Sequence, residues 1–339
     1  MQAPPYVGKI LRKLEEAGHE AWCVGGCVRD ALLGREPADW DVCTSALPQE
    51  TEEALALPVL KVGERHGTLA ALTEGGTVEV TTYRREGGYS DHRRPDQVVF
   101  SRRLEDDLVR RDFTINAMAW HPQRGLRDFF GGREDLHKGQ IRCVGEPRRR
   151  FHEDALRLLR ALRFAAVLGF DMEEDTEKAL FDLAGLLGAI SAERVQAELD
   201  KLLMGACAEK ILVLYADVFR VVLPEILYAD AALPQGPGID GISRWAALLG
   251  GLAPGQADRV LRRLRFSNRR RQAVLRRMAG DPLPLGQLAV QGRDLLGLGV
   301  APGPGMGEVL RRLLEDVRAG ESPNEREALL ERAKRYAGP

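Results

Sequence analysis

The chain has 339 residues, 44% of them hydrophobic and 29% charged, with a formal net charge of -1; this suits a folded protein of more than one domain. No apolar run approaches the roughly 18 residues that cross a bilayer, and the opening MQAPPYVGKILRKLEEAG lacks the basic-then-apolar order of a signal peptide, so no membrane partner and a cytoplasmic location are expected. The cysteines (Cys23, Cys27, Cys43, Cys143, Cys207) fit neither a zinc spacing nor a redox pair and are expected as reduced thiols.

In chain order, Val7, Ile10, Leu11 and Leu14 recur at helical spacing, and AWCV reads as a short buried strand ending at Gly25-Gly26. VRDALLG gives about two helical turns closed by Gly34. ADWDVCT predicts the next strand, and Pro48 opens the helix PQETEEALAL. GTLAALT and TVEVTTY, joined by Glu74-Gly75-Gly76, predict a β-hairpin. YRREGGYSDHRRPD is polar and glycine-containing, the pattern of a long exposed loop. Beyond Arg150 strand signals fade. FHEDALRLLRALRFAAVLGF, ISAERVQAELDKLLMG, GISRWAALLGGL and QADRVLRRLRF repeat apolar residues at three and four, with Pro- and Gly-containing joints between them. The fold class expected is α+β, a small mixed-sheet head followed by an elongated all-helical remainder.

On a strand, Asp39 and Asp41 share one face while Trp40 and Val42 share the other. Adjacent carboxylates repel unless they share a cation, and hard oxygen donors at this spacing suit Mg²⁺. Alone, D-x-D is more often a solvated strand face. Here it follows Gly25-Gly26, a turn whose bare backbone admits a phosphate, and Arg29, which places a charged fork beside it. Asp154, Arg157, Arg160 and Arg163 recur every three residues along what reads as one helix. QADRVLRRLRFSNRRRQAVLRRM carries nine arginines from Arg259 to Arg277, with Asp258 as its one acid, a local positive stripe that fits an RNA backbone.

GGCVRD followed by DWD, then RRDFTINAMA (110–119), HEDALRLLRALRF (152–164), ISAERVQAELDKLL (190–203) and LRFSN (264–268) resemble the class II tRNA nucleotidyltransferases, the family of CCA-adding enzymes and bacterial poly(A) polymerases within the DNA polymerase β-like superfamily. The resemblance implies a polymerase β-like head over residues 1–138, a helical neck over 139–204, a body over 205–258 and a tRNA-binding tail over 259–339. It implies template-independent addition of CCA to tRNA from CTP and ATP, with Asp39 and Asp41 as catalytic ligands of two Mg²⁺ ions and Glu79 as a candidate third ligand or else a surface glutamate. Asp154 and Arg157 would read the base, because cytosine and adenine alike present an amine beside an acceptor nitrogen, which uracil and guanine reverse. Glu153 would hold Arg157, and Arg160 and Arg163 would face the triphosphate or sugar. Arg111 is the implied nucleotide contact, with adjacent Arg110 equally placed by sequence, and Asp112 and Asn116 would brace the head–neck junction or the ribose. Arg262, Arg263, Arg269, Arg270 and Arg271 are the expected RNA contacts. The loop at 83–96 corresponds to the family's flexible loop, with His92 where glycine is usual. An A-adding enzyme, a poly(A) polymerase and a catalytically silent RNA-binding protein are the alternatives, and the sequence leaves oligomeric state open.

Overall fold

The computed structural model describes residues 1–63, 66–88, 97–228, 232–236, 239–280, 285–319 and 321–336, and His92 lies outside them. Two compact units emerge, one of Met1–Ala161 with Phe170–Leu186, the other of Leu162–Gly169 with Leu187–Pro339.

The first unit is α+β. Its opening helix α1 (Pro5–Glu16) starts on a proline at its first turn, where the missing N–H costs nothing, and buries Val7, Ile10, Leu11 and Leu14 as the spacing predicts. There follow β1 (Ala21–Val24), α2 (Gly26–Leu32), β2 (Asp41–Thr44), α3 (Pro48–Leu55), β3 (Val59–Gly63), β4 (Thr68–Thr73) and β5 (Gly76–Thr82). β4 and β5 form the expected antiparallel hairpin, closing at Thr73 and Gly76. β8 (Met118–His121) and β9 (Gly125–Asp128) complete a seven-stranded mixed sheet of order β3-β4-β5-β2-β1-β8-β9. Trp22, Val24, Cys43, Tyr83, Ala119, Leu104 and Leu108 form one core cluster, the two leucines coming from α4 (Leu104–Leu108).

Three expectations need correction here. The segment read as loop from Tyr83 begins as a strand: β6 (Arg84–Gly87) pairs antiparallel with β7 (Gln97–Phe100). β2 begins only at Asp41, and Asp39 stands in the bend before it. The segment read as one helix from Phe151 is two. After α5 (Gly132–Lys138) and β10 (Gln140–Ile141), α6 (Pro147–Glu153) ends at Asp154 and α7 (Leu156–Leu168) starts anew. The cause is local: Asp154 Oδ1 accepts from the Leu156 N–H at 3.1 Å, an aspartate turn that competes with helix continuation. β11 (Asp171–Met172) and α8 (Glu174–Leu183) close the unit.

Among the described residues helices alone build the second unit: α9 (Ala192–Leu203), α10 (Ala208–Leu214), α11 (Ala216–Phe219), α12 (Gly241–Leu248), α13 (Pro254–Arg263), α14 (Asn268–Met278), α15 (Gly292–Leu296), α16 (Pro304–Arg318) and α17 (Arg326–Tyr336). Its centre is polar as well as apolar. Asp200 of α9 accepts from Trp245 Nε1 at 2.7 Å and from both terminal nitrogens of Arg270 at 2.6 Å, and Arg270 lies over the Phe266 ring. All five cysteines are free, and among the described residues no helix is long and apolar enough to cross a membrane.

Candidate active site

The sheet register builds the acidic end of the site. Val24 pairs with Asp41 on β2, and Asp41 pairs with Glu79 on the parallel neighbour β5. Residues directly opposite on adjacent strands share a face about 4.8 Å apart, so Asp41 and Glu79 point the same way. Val78 and Val80 are buried while Glu79 is exposed, and β5 is an interior strand rather than an edge. Burial pushes the Asp41 carboxyl up to about 6; Glu79 and Asp39 push it the same way, and Arg111 opposes them. Three carboxylates thus crowd one end of the sheet. Among the described residues no three such groups are drawn together tightly enough to hold a metal by themselves. Their chemistry nevertheless fits a hard divalent cation whose remaining oxygens come from water and substrate phosphates.

Arg111 is the counter-charge. Gly25, with φ 78°, turns the chain out of β1, and a Cβ there would stand 2.8 Å from Arg111 Nη1. Glycine therefore serves two needs at this point, a left-handed backbone and room for the guanidinium. Arg111 Nη2 donates to Asp107 Oδ2 at 3.0 Å, and its buried Nε finds no acceptor among the described residues. Asp107, fully buried on α4, also accepts on Oδ1 from Arg110 Nε at 2.9 Å and Nη2 at 2.6 Å. Arg110 in turn donates to Glu86 of β6 at 3.1 Å.

A second relay crosses from α2 to α7. Arg29 Nη1 donates to Asn116 Oδ1 at 2.7 Å, Asn116 Nδ2 donates to Asp112 Oδ1 at 3.1 Å, and Asp112 Oδ2 takes Arg160 Nε at 2.7 Å and Nη2 at 2.5 Å. Burial would raise the Asp112 carboxyl, but the Arg160 charge and the donors Asn116, Arg160 and the Phe113 N–H hold it far below the usual carboxylate range. Arg29 also pairs with Asp30 at 2.8 Å, so its fork is already partly engaged.

At the other end, Arg157 is buried and tied on three points. Nη1 donates to Glu153 Oε2 at 2.8 Å and to the Arg150 carbonyl at 3.0 Å, and Nη2 donates to the Arg110 carbonyl at 2.9 Å. Asp154 sits three residues before it, in the break between helices. A cavity of about 300 Å³ opens beside this cluster, lined by Glu86, Val109, Arg110, Arg149, Arg150 and Glu153. Arg163 belongs to the second unit, where it pairs with Glu198 at 2.8 Å and lies over Phe164.

The arginine stripe is less free than its sequence suggests. Arg262 pairs with Asp258, Arg263 with Glu225, Arg270 with Asp200, and Arg271, itself buried, with Asp258 and Asn268. Of the five expected contacts, Arg269 alone is without an ion pair among the described residues, and it is exposed.

Three family patterns match the chain: "Poly A polymerase head domain" over 21–142, "Probable RNA and SrmB- binding site of polymerase A" over 169–229, and tRNA nucleotidyltransferase domain 2 over 285–333. A CCA-adding enzyme of Leuconostoc mesenteroides is 43% identical over 273 residues, 78% of this chain and 65% of that protein. One from Lactobacillus delbrueckii is 36% identical across 95% of both chains. The chain belongs to the CCA-adding enzyme family of tRNA nucleotidyltransferases. The crystal structure of the Bacillus stearothermophilus CCA-adding enzyme in complex with CTP superimposes with a TM-score of 0.64 at 31% identity, covering 98% of each chain. Against this CCA-adding framework, sequence reasoning overlooked Asp107 and Glu86. Asp107 carries a signal in hindsight, an acid three and four residues before Arg110 and Arg111, which is the spacing of ion pairs on one helical turn. Glu86 carries none: it pairs locally with Arg84, and Arg110, the partner that ties it to the site, is 24 residues away.

Proposed function

We infer that this chain adds CCA to the 3′ ends of tRNA, taking CTP and ATP and releasing pyrophosphate, and that it works in the cytoplasm. The observation that carries the residue-level reading is the row of Asp41 and Glu79 across β2 and β5, with Asp39 beside them and Arg111 against the Gly25 turn.

In this reading, Asp39, Asp41 and Glu79 hold Mg²⁺, which when bound supplies activation of the RNA 3′-hydroxyl and neutralisation of the leaving pyrophosphate. The hydroxyl attacks the α-phosphorus in line; its bond to the new phosphodiester forms as the bond to pyrophosphate breaks. Arg111 offsets triphosphate charge where bare backbone at Gly25-Gly26 lets it approach. The Asp112–Asn116–Arg29 relay and Arg160 shape the sugar end. Asp154 accepts from the exocyclic amine of cytosine or adenine while Arg157, braced by Glu153, donates to the adjacent ring nitrogen. Opposed donors and acceptors in a dry site cost about 1–3 kcal/mol each, enough to reject uracil and guanine. Exposed arginines of α13 and α14 serve the RNA backbone, within the four-part division of head, neck, body and tail.

The test uses three tRNA transcripts, ending at the discriminator base, in C and in CC, each given CTP, ATP or both, with products resolved to single nucleotides. The expected result is CCA on the first transcript and arrest there. A single A added only to the CC-ending transcript, or a long A tail, would overturn the reading. Asp39→Asn and Asp41→Asn are expected to abolish incorporation while leaving tRNA binding in place.

A further inference from the structure

Asp107 stands apart from the residues whose roles the family motifs carry. It is fully buried, lies outside the acidic end of the sheet, and is the shared acceptor for two consecutive arginines. A carboxylate taken from water to that depth is unfavourable unless its oxygens are fully used, and here both are. Its pairing holds the carboxyl below the usual range although burial alone would raise it, so it stays charged.

Each oxygen faces a different end of the nucleotide site. Oδ2 holds Arg111, whose Nη1 is packed against the Gly25 turn and whose charge acts on Asp41. Oδ1 holds the fork of Arg110, and the Arg110 carbonyl receives Nη2 of Arg157 at 2.9 Å. Arg110 and Arg111 are adjacent, so their peptide cannot shift at one end without moving the other. We propose that Asp107 is a positioning residue that sets the phosphate-facing Arg111 and the base-reading Arg157 in mutual register through one carboxylate. This rests on the nucleotide assignments proposed above for Arg111 and Arg157. Asp107 touches no substrate; it fixes where two substrate-facing groups stand.

The two arms separate by mutation. Arg111→Lys alters the phosphate arm, Arg110→Lys alters the base arm by removing the two-nitrogen grip on Oδ1, and Asp107→Asn weakens both. Glu105→Gln, an exposed neighbour on the same helix paired among the described residues with Arg103, is the control. CTP and UTP dissociation constants are measured by calorimetry in Mg²⁺ buffer on the full-length protein, alongside the thermal midpoint. Losing a charged hydrogen bond weakens an interaction on the order of tenfold or more. Arg111→Lys is expected to weaken CTP and UTP in parallel, keeping their ratio. Arg110→Lys is expected to lower the CTP preference severalfold with CTP affinity nearly kept. Asp107→Asn is expected to do both, and Glu105→Gln neither.

A fall in thermal midpoint with wild-type affinities and ratio in Asp107→Asn makes Asp107 a structural brace and overturns the proposal. If Asp107→Asn fails to fold, a wild-type CTP:UTP ratio in Arg110→Lys overturns it equally. Wild-type protein that binds CTP selectively yet extends no tRNA sinks the activity reading, while the variant pattern still supports the positioning role. Wild-type protein that binds neither nucleotide sinks both.

Discussion

Two aspartates of the first unit are driven in opposite directions by their surroundings. Asp41 is pushed up by burial and by the like charges of Glu79 and Asp39; Asp112 is buried too, but takes four hydrogen bonds, two of them from Arg160, and is pushed down. A carboxylate pushed up by burial beside like charges is left without a counter-charge that suffices, and a carboxylate held down is one already satisfied. Asp112 is therefore read as a brace, and its effect on stability has a defined sign. Its folded-state pKa lies below its unfolded value of about 3.9, so its contribution is complete above that value and is lost as pH falls through the folded pKa. Asp112→Asn is expected to cost about 2–3 kcal/mol at pH 7, less than a wholly buried pair because the Arg160 side chain is 32% exposed. Urea titrations at neutral pH and at successively lower pH check this: the gap between wild type and variant stays constant down to about pH 4 and narrows below. A gap that widens on acidification would reverse the assignment.

At the scale of elements, the break between α6 and α7 matters most. It puts Asp154 in an extended conformation immediately before the helix that carries Arg157, so the acid stands outside the helix and not on its surface. Asp154 has two separable tasks, the turn it makes with the Leu156 N–H and the base it is proposed to read. Asn keeps the first and loses the carboxylate. Asp154→Asn is expected to stay within a few tenths of a kcal/mol of wild type, whereas Asp154→Ala loses about 1 kcal/mol, as capping side chains do. Both variants are expected to lose preference for CTP and ATP over UTP and GTP in single-nucleotide incorporation. Selectivity retained in either would remove Asp154 from base reading. The break itself was invisible to periodicity, because apolar residues keep a spacing of three and four through it. The same reasoning explains what was legible. α1 and the β4–β5 hairpin have continuous patterns and a turn signal, and they form as read. β6 and β9 do not: RREG and GLRD are too short and polar to alternate, and only their partners make them strands. Gly25, Asp39 and Asp41 were legible as a local motif, and the spacing of Asp107 from its two arginines is local too, but the tertiary bonds that run on from Arg110 to Glu86 and Arg157 exist only once the chain is folded.

At the scale of the whole chain, 49 basic and 50 acidic side chains nearly cancel, and the arginine-rich stretch is partly neutralised by means the sequence hides. The acids that neutralise it, Asp200 and Glu225, lie 70 and 38 residues from Arg270 and Arg263. What remains for an RNA backbone among the described residues of α13 and α14 is the set without ion pairs: Arg277, half-buried, with Arg259, Arg269 and Arg276 on the exposed surface. Phosphate contacts release counterions, so a residue that makes one sets the slope of affinity against salt, while a residue locked in the fold sets stability instead. Arg269→Ala is expected to weaken tRNA binding and to reduce the slope of log affinity against log salt by about one, with folding stability changed by no more than about 0.5 kcal/mol. Arg271→Ala is expected to do the reverse, lowering stability because the buried guanidinium and its bonds to Asp258 and Asn268 are lost while Arg262 still pairs with Asp258, with the salt slope of the folded fraction unchanged. Filter binding across a salt series, paired with denaturant melts, reads both quantities on the same preparations. Equal salt slopes in wild type and Arg269→Ala would move the RNA surface away from α14.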